Sequence, residues 1–238
     1  MTDKLFFYVK PNCVSEGKFT LSENESHHIH RVLRLNLGER IWLIDGLGHG
    51  YEGELCSFNG TVKGKIIKSY KRMGENSWNL QLAIAVLKKN RMELLVEKAT
   101  ELGVNKLSFV RMDNSGKQKI QIPRLEKIVK TASKQCGRTN FPSLKEYDSL
   151  KDFLYLNNTK TIAAHKSGDS FLSTFLFKNK MKPSSVIIGP EGDFSKEELS
   201  LIQQNNIPII SLGNRRLRSE TAGVYALTSM NEYYLNKC

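Results

Sequence analysis

The chain has 238 residues, 39% of them hydrophobic, which suits one small and one medium globular domain and excludes a disordered polymer. Lys and Arg number 36 against 24 Asp and Glu, a formal net charge of +12; this points to a polyanionic partner, although a Lys-rich proteome would push the count the same way. No apolar run approaches the ~20 residues of a membrane span, the apolar run after Met1–Lys4 is too short for a signal peptide, and Cys13, Cys56, Cys136 and Cys238 follow no zinc or redox spacing, so a reduced, cytoplasmic, soluble protein with no metal is expected.

Residues 5–9 read as a strand, and residues 18–21 as a second, short one. Ser22 followed by Glu25 forms a capping-box pattern, so a helix is expected to start there and to carry His27, His28, His30, Arg31 and Arg34 until Asn36-Leu37-Gly38 ends it. Three β-rich runs follow, at 41–45, 51–58 and 61–70, separated by glycine-containing turns. Lys63 and Lys65 alternate with Val62, Gly64 and Ile66, which makes one face of the last run partly basic. Residues 1–72 therefore read as a small, mostly β domain with one helix.

Residues 71–78 are polar and read as a linker into a second domain, 73–238. Residues 80–87 have the apolar density of a buried strand. Residues 91–102 place Met92, Leu95, Val96 and Ala99 on one helical face, closed by Gly103. A strand is expected at 106–111, a helix from Pro123 to about Arg138, and short strands at 161–165 and 186–189. Ser195 with Glu198 heads a further helix to about Asn205; a strand at 207–212 and a terminal helix at 220–235 complete the chain. Strand–helix alternation predicts an α/β fold with a mainly parallel sheet, whose ligands bind at the carboxyl ends of the strands.

Gly48, Gly50 and Gly53 spell G-x-G-x-x-G, but a β-type run follows where a dinucleotide site needs a helix, so they read as a glycine-rich hairpin. No Walker A sequence is present. The histidines beside Arg31 and Arg34 lack acidic or thiol partners and metal spacing; phosphate contact from Arg31 and Arg34, one turn apart, competes with a solvated basic face.

The sharper patterns lie in the last fifty residues. Gly189-Pro190-Glu191-Gly192 follows a strand and permits a tight turn with free main-chain polar groups. Ser211-Leu212-Gly213-Asn214 follows the next strand. Leu217-Arg218-Ser219-Glu220-Thr221-Ala222 opens the last helix with a capping hydroxyl and an acid in the first turn. Three such turns at successive strand ends imply one shared small-molecule pocket.

Together with Met92–Val104, Ile188–Phe194 and Leu212–Ala222, these segments resemble the SPOUT methyltransferases, and specifically the RsmE family, which methylates N3 of a uridine in 16S ribosomal RNA. Gln135, Arg138 and Pro142 match a Gln…Arg…Pro pattern of that family; residues 27–34 and 38–45 extend the likeness more weakly into the N-terminal half. Asp193 stands where the family usually has glycine, and Arg216 where it usually has an aliphatic residue.

The resemblance implies an N-terminal PUA-like β-barrel and a C-terminal SPOUT domain closed by a trefoil knot, S-adenosylmethionine as cofactor, 16S rRNA in the small ribosomal subunit as partner, and a homodimer. It places the cofactor on His165, Ile188, Gly189, Pro190, Glu191, Gly192, Ser211, Leu212, Gly213, Leu217, Arg218, Ser219, Glu220, Thr221 and Ala222. Arg218 is expected to stabilise charge on the uracil carbonyls, and Glu191 or Glu220 to accept the N3 proton. Glu220 also suits a plain helix N-terminal charge. Lys4, His30, Arg31, Arg34, Lys63, Lys65, Arg91 and Arg138 are the expected RNA contacts. A 2′-O-methyltransferase and a non-catalytic RNA-binding module are the competing readings.

Overall fold

The computed structural model describes residues 4–179 and 182–237, and the chain forms two compact units. The first comprises Met1–Asn76 and Lys130–Phe141; the second comprises Ser77–Val129 and Pro142–Cys238.

In the first unit, β1 (Phe6–Tyr8), β2 (Val14–Ser15), β3 (Lys18–Thr20), β4 (Arg40–Ile44), β5 (His49–Ser57) and β6 (Lys63–Lys71) form one sheet in the order β1-β4-β5-β6-β3-β2. Among the described strands of this sheet, β1 and β4 pair in parallel and the other pairings are antiparallel. Alternation sorts the side chains: Phe7, Phe19, Ile41, Leu43 and Leu55 point into a core shared with Val9, Leu21, Ile29 and Val62. Glycine at position 64 is a packing requirement, because a Cβ there would lie 2.2 Å from the Glu54 carbonyl and 2.4 Å from the Phe19 ring. The glycines at 48, 50 and 53 form the turn and first half of β5, as the hairpin reading expects.

The expected helix from Ser22 is shorter and less regular than its pattern. Helix α1 spans Glu23–His27 and passes into a π-helical stretch, His28–Leu33, which ends at Arg34 in the left-handed conformation, φ 54°. Arg34 is therefore outside the helix and does not share a regular helical face with Arg31. The capping box is half made: the Ser22 hydroxyl accepts the Glu25 N–H at 3.4 Å, but the Glu25 carboxylate turns to Lys134 at 2.8 Å.

In the second unit, β7 (Gln81–Ala85), α2 (Lys89–Glu101), β8 (Lys106–Val110), α3 (Ile122–Cys136), β9 (Ser143–Tyr147), α4 (Leu150–Leu156), β10 (Thr161–Ala164), α5 (Leu172–Lys178), β11 (Ser185–Ile188), α6 (Lys196–Gln204), β12 (Ile209–Ile210) and α7 (Ser219–Leu235) alternate along the chain. The sheet order is β12-β10-β11-β7-β8-β9, and every pairing is parallel. β7 and β11 are buried along their whole length, as expected of parallel strands covered on both faces. The capping box at Ser195 and Glu198 is fully formed. Strand β9 and helices α4 and α5 are elements that the sequence reading did not name.

The division of the chain differs from the expected boundary after residue 72. The first unit runs on to Asn76 and takes back residues 130–141, including the C-terminal half of α3. Specific bonds inside that unit explain this. The Glu75 carboxylate accepts from Arg138 at 2.9 Å and from the Asn140 N–H at 2.8 Å, Thr139 donates through its N–H to the Met73 carbonyl, and Lys130 lies over the Tyr8 ring.

Candidate active site

The strand order brings distant segments together. β10 lies between β12 and β11, so the turns that leave these three strands stand side by side at the carboxyl edge of the sheet. The His165 N–H donates to the Ile210 carbonyl, joining two of them at their roots. The turns and the start of α7 enclose a cavity of about 460 Å³. Its walls are apolar at Ile188, Phe194, Leu212, Leu217 and Ala222 and carry the backbone of Gly189, Gly192 and Gly213. Gly213 has φ 126°, a backbone conformation that favours glycine, and open space where a Cβ would be.

The Gly189–Asp193 turn is held from four directions. The Ser219 hydroxyl donates to the Gly189 carbonyl at 2.9 Å, in a buried position. Arg216 donates to the Glu191 carbonyl at 2.8 Å. The Asn114 amide donates to the carbonyls of Gly192 and Asp193 at 3.4 and 3.0 Å. The Asp193 carboxylate meets His165 Nε2 at 3.1 Å and Lys166 Nζ at 3.6 Å. Asp193 has φ 71°, a conformation that suits glycine; a short Asp adopts it with little strain and adds the bond to His165.

A second cluster sits beside this turn. Arg91, from α2, contacts the carboxylate of Glu191 and lies 3.6 Å from that of Glu220. Glu220 is 7% exposed, and its Oε2 has no hydrogen-bond partner among the described residues. A buried carboxylate oxygen without a donor is costly, and such sites in folded proteins call for a functional or structural reason.

Of the residues expected to hold a cofactor, His165, Ile188, Gly189, Pro190, Glu191, Gly192, Ser211, Leu212, Gly213, Leu217, Ser219 and Ala222 line the cavity. Arg218, Glu220 and Thr221 do not. Arg218 is the exposed N-cap residue of α7, Thr221 is exposed one turn on, and Glu220 turns to Arg91. Lys166, Phe194, Asn214, Arg215 and Arg216 also line the cavity and were not expected as cofactor contacts.

Two expected RNA contacts take other roles. Arg138 is 1% exposed and bonded to Glu75, because the helix end that carries it is folded into the first unit. Arg91 is engaged with the two carboxylates described above. Lys65 pairs with Glu54 at 2.8 Å, and Lys4 lies 3.9 Å from the centre of the Trp42 ring. His30, Arg31, Arg34 and Lys63 are exposed. No cluster of three or more His, Cys, Asp or Glu suited to a metal ion, and no helix long and apolar enough to cross a membrane, occurs among the described residues.

Comparison with known proteins gives a consistent picture. Residues 74–231 match the model of the RNA methyltransferase domain, and residues 21–56 match that of the RNA methyltransferase PUA domain. The chain is 28% identical over 231 residues to Ribosomal RNA small subunit methyltransferase E of Rickettsia conorii, covering 94% of this chain and 93% of the relative. It is also 28% identical to the Bacillus subtilis protein of the same name, covering 90% and 89%. A Legionella pneumophila methyltransferase structure with the bound cofactor SAM superposes with a TM-score of 0.83 at 26% identity, covering 97% of this chain and 98% of that one.

Proposed function

Because this chain belongs to the RNA methyltransferase domain family, we propose that it transfers the methyl group of S-adenosylmethionine to N3 of a uridine in 16S ribosomal RNA. The observation that carries this reading is the meeting of three strand-end turns and the start of α7 around one cavity, on the segments where the family resemblance is strongest. The cavity suits such a cofactor in size and chemistry. It offers apolar walls for a flat adenine, backbone polar groups at Gly189, Gly192 and Gly213 for its edges, and charges of both signs (Asp193 and Glu191, Lys166 and Arg215) for the amino-acid end.

S-adenosylmethionine supplies an electrophilic methyl carbon on a sulfonium. The chain's own work is to align the acceptor, exclude water and manage one proton. Alignment is the larger contribution, since holding two reactants in line replaces a bimolecular encounter. The four ties on the Gly189–Asp193 turn keep that wall in one shape before anything binds, so little reorganisation is left for the reaction itself.

Glu191 lines the cavity, and Glu220, outside it, has an oxygen with no partner among the described residues; Arg91 meets both carboxylates. Either carboxylate accepts the N3 proton in this scheme. Arg218, exposed at the start of α7, stabilises the charge that spreads onto the uracil carbonyls. The target uridine is unpaired or extruded from a helix, because N3 lies on the pairing edge of the base.

The proposal extends to small ribosomal subunits as the physiological substrate, a cytoplasmic location, a C-terminal trefoil knot and a homodimer. Phe177 and Tyr225 remain exposed on α5 and α7, which supports an interface there. The test is methyl transfer from labelled S-adenosylmethionine to small subunits, naked 16S rRNA and tRNA, followed by nucleoside analysis. 3-Methyluridine from ribosomal RNA is the expected product. Label on a ribose, or in tRNA, overturns the acceptor and leaves the cofactor site standing.

A further inference from the structure

The outer face of the sheet in the first unit carries an aromatic cluster for which the site above has no use. In register across β1, β4, β5 and β6 stand Phe6, Trp42, Glu52 and Lys68, with Tyr70 two positions beyond Lys68 on the same face. The opposite face of β1 and β4 is the buried core at Phe7, Ile41 and Leu43. Trp42 and Tyr70 have ring centres 5.3 Å apart, and Phe6 lies 6.1 Å from Trp42. Two ammonium groups cover these rings: Lys4 lies 3.9 Å from the Trp42 centre and Lys68 5.0 Å from that of Tyr70. The one acid in the row, Glu52, is bonded to Arg40 at 2.8 Å.

We propose that this face binds an unpaired segment of RNA, with bases stacked on Trp42 and Tyr70 and the backbone held by Lys4 and Lys68. The inference rests on the RNA-methyltransferase reading and names the surface of the first unit that holds the substrate strand. Three observations support it. Phe6, Trp42 and Tyr70 are half-buried, and the parts of the Trp42 and Tyr70 rings that face out offer flat partners to any base. The cations are parked on the rings themselves, so a base that takes the place of Lys4 on Trp42 releases its ammonium next to the phosphate that arrives with that base. The surrounding strand is basic: β6 also exposes Lys63 and Lys71, while Lys65 is paired with Glu54, and the excess of cations matches a polyanion and repels a basic partner. Duplex RNA buries its base faces and presents no stacking partner, so the surface selects single strands.

The chain contains two tryptophans, Trp42 and Trp78, which makes the surface directly observable. The full chain is titrated with a single-stranded oligouridine ribonucleotide, and with an RNA duplex of equal length, while tryptophan emission is followed. The single strand is expected to quench emission and the duplex to bind more weakly without that quench. Trp42→Leu should lose the quench and weaken single-strand binding by about tenfold, whereas Trp42→Phe, which keeps a ring, should lose the quench and retain most of the affinity. Lys68→Glu, at an exposed position that leaves the fold intact, should weaken binding and lower the salt dependence by about one unit of slope or more. S-adenosylmethionine affinity, measured in parallel, should be the same in all variants. Single-strand binding that is equal in wild type and Trp42→Leu, or that leaves Trp42 emission unchanged, overturns the surface. Failure of the wild type to bind S-adenosylmethionine would instead overturn the methyltransferase reading, whatever the RNA does.

Discussion

Arg216 and Arg218 are two positions apart and have separable roles. Arg218 is exposed and stands outside the cofactor cavity, free to meet an incoming base. Arg218→Ala should lower turnover by about two to three orders of magnitude, the usual cost of a lost donor to developing charge. Its S-adenosylmethionine affinity by calorimetry should stay within about twofold of wild type; unchanged turnover would remove Arg218 from the reaction. Arg216 acts through the Glu191 carbonyl. Arg216→Leu should weaken S-adenosylmethionine by several-fold, in line with the loss of one partly exposed charged hydrogen bond worth about 1 kcal/mol, while kcat is retained. Arg216→Lys, which keeps a donor, should recover part of that loss. A fall in kcat at unchanged affinity would refute the positioning role. At this scale the sequence showed which residues are present but not which ones meet. Asp193 and Arg216 stood out as departures from a family pattern, yet their partners His165 and the Glu191 carbonyl lie in other turns, and only the strand order brings these together. Arg138 was misread for the same reason: a positive charge is visible in a sequence, but Glu75, 63 positions away, is not visible as its partner.

Elements with a strong periodic or capping signal were legible, and those without one were not. α2 and α6 fell close to their expected bounds because an apolar stripe or a reciprocal cap defines them. The α4 helix was overlooked although Ser149 and Asp152 form a cap that could have revealed it. Helix α5 carries no such mark, since its N-cap residue is Phe171 with no side-chain bond. The π-helical stretch at His28–Leu33 and the left-handed Arg34 have no sequence signature at all, because nothing in arginine favours positive φ. The segment that returns to the first unit is held by the Glu75–Arg138 pair, in which both side chains are almost wholly buried, at 3% and 2% exposure. Glu75→Gln removes the carboxylate charge from this buried pair and should destabilise the chain by about 3–5 kcal/mol in urea denaturation. A loss under about 1 kcal/mol would mean that water reaches the pair.

For the whole molecule, charge was the most readable property and its distribution the least. The excess of cations pointed to RNA, but part of it is neutralised internally, at Arg91, Lys65 and Arg138. The remaining exposed cations should give RNA binding a steep salt dependence, about 0.7 units of slope for each single-strand phosphate engaged. Filter binding at several salt concentrations measures it, and a flat profile would exclude a backbone-dominated interaction. The two-part organisation was also readable; its interruption was not, since no composition shift marks residues 130–141.

That interruption affects how the protein is made and how it can evolve. The first unit lacks a stretch of its own chain until synthesis has passed Phe141, well after the first two strands of the second unit have been made. It therefore cannot mature as an independent N-terminal module during translation, the usual order for chains built as beads on a string. For the same reason a genetic break between positions 76 and 77 would not release a self-sufficient cassette. The two halves are inherited together, and any exchange of one for a foreign counterpart would have to carry a short insert in the middle of the other.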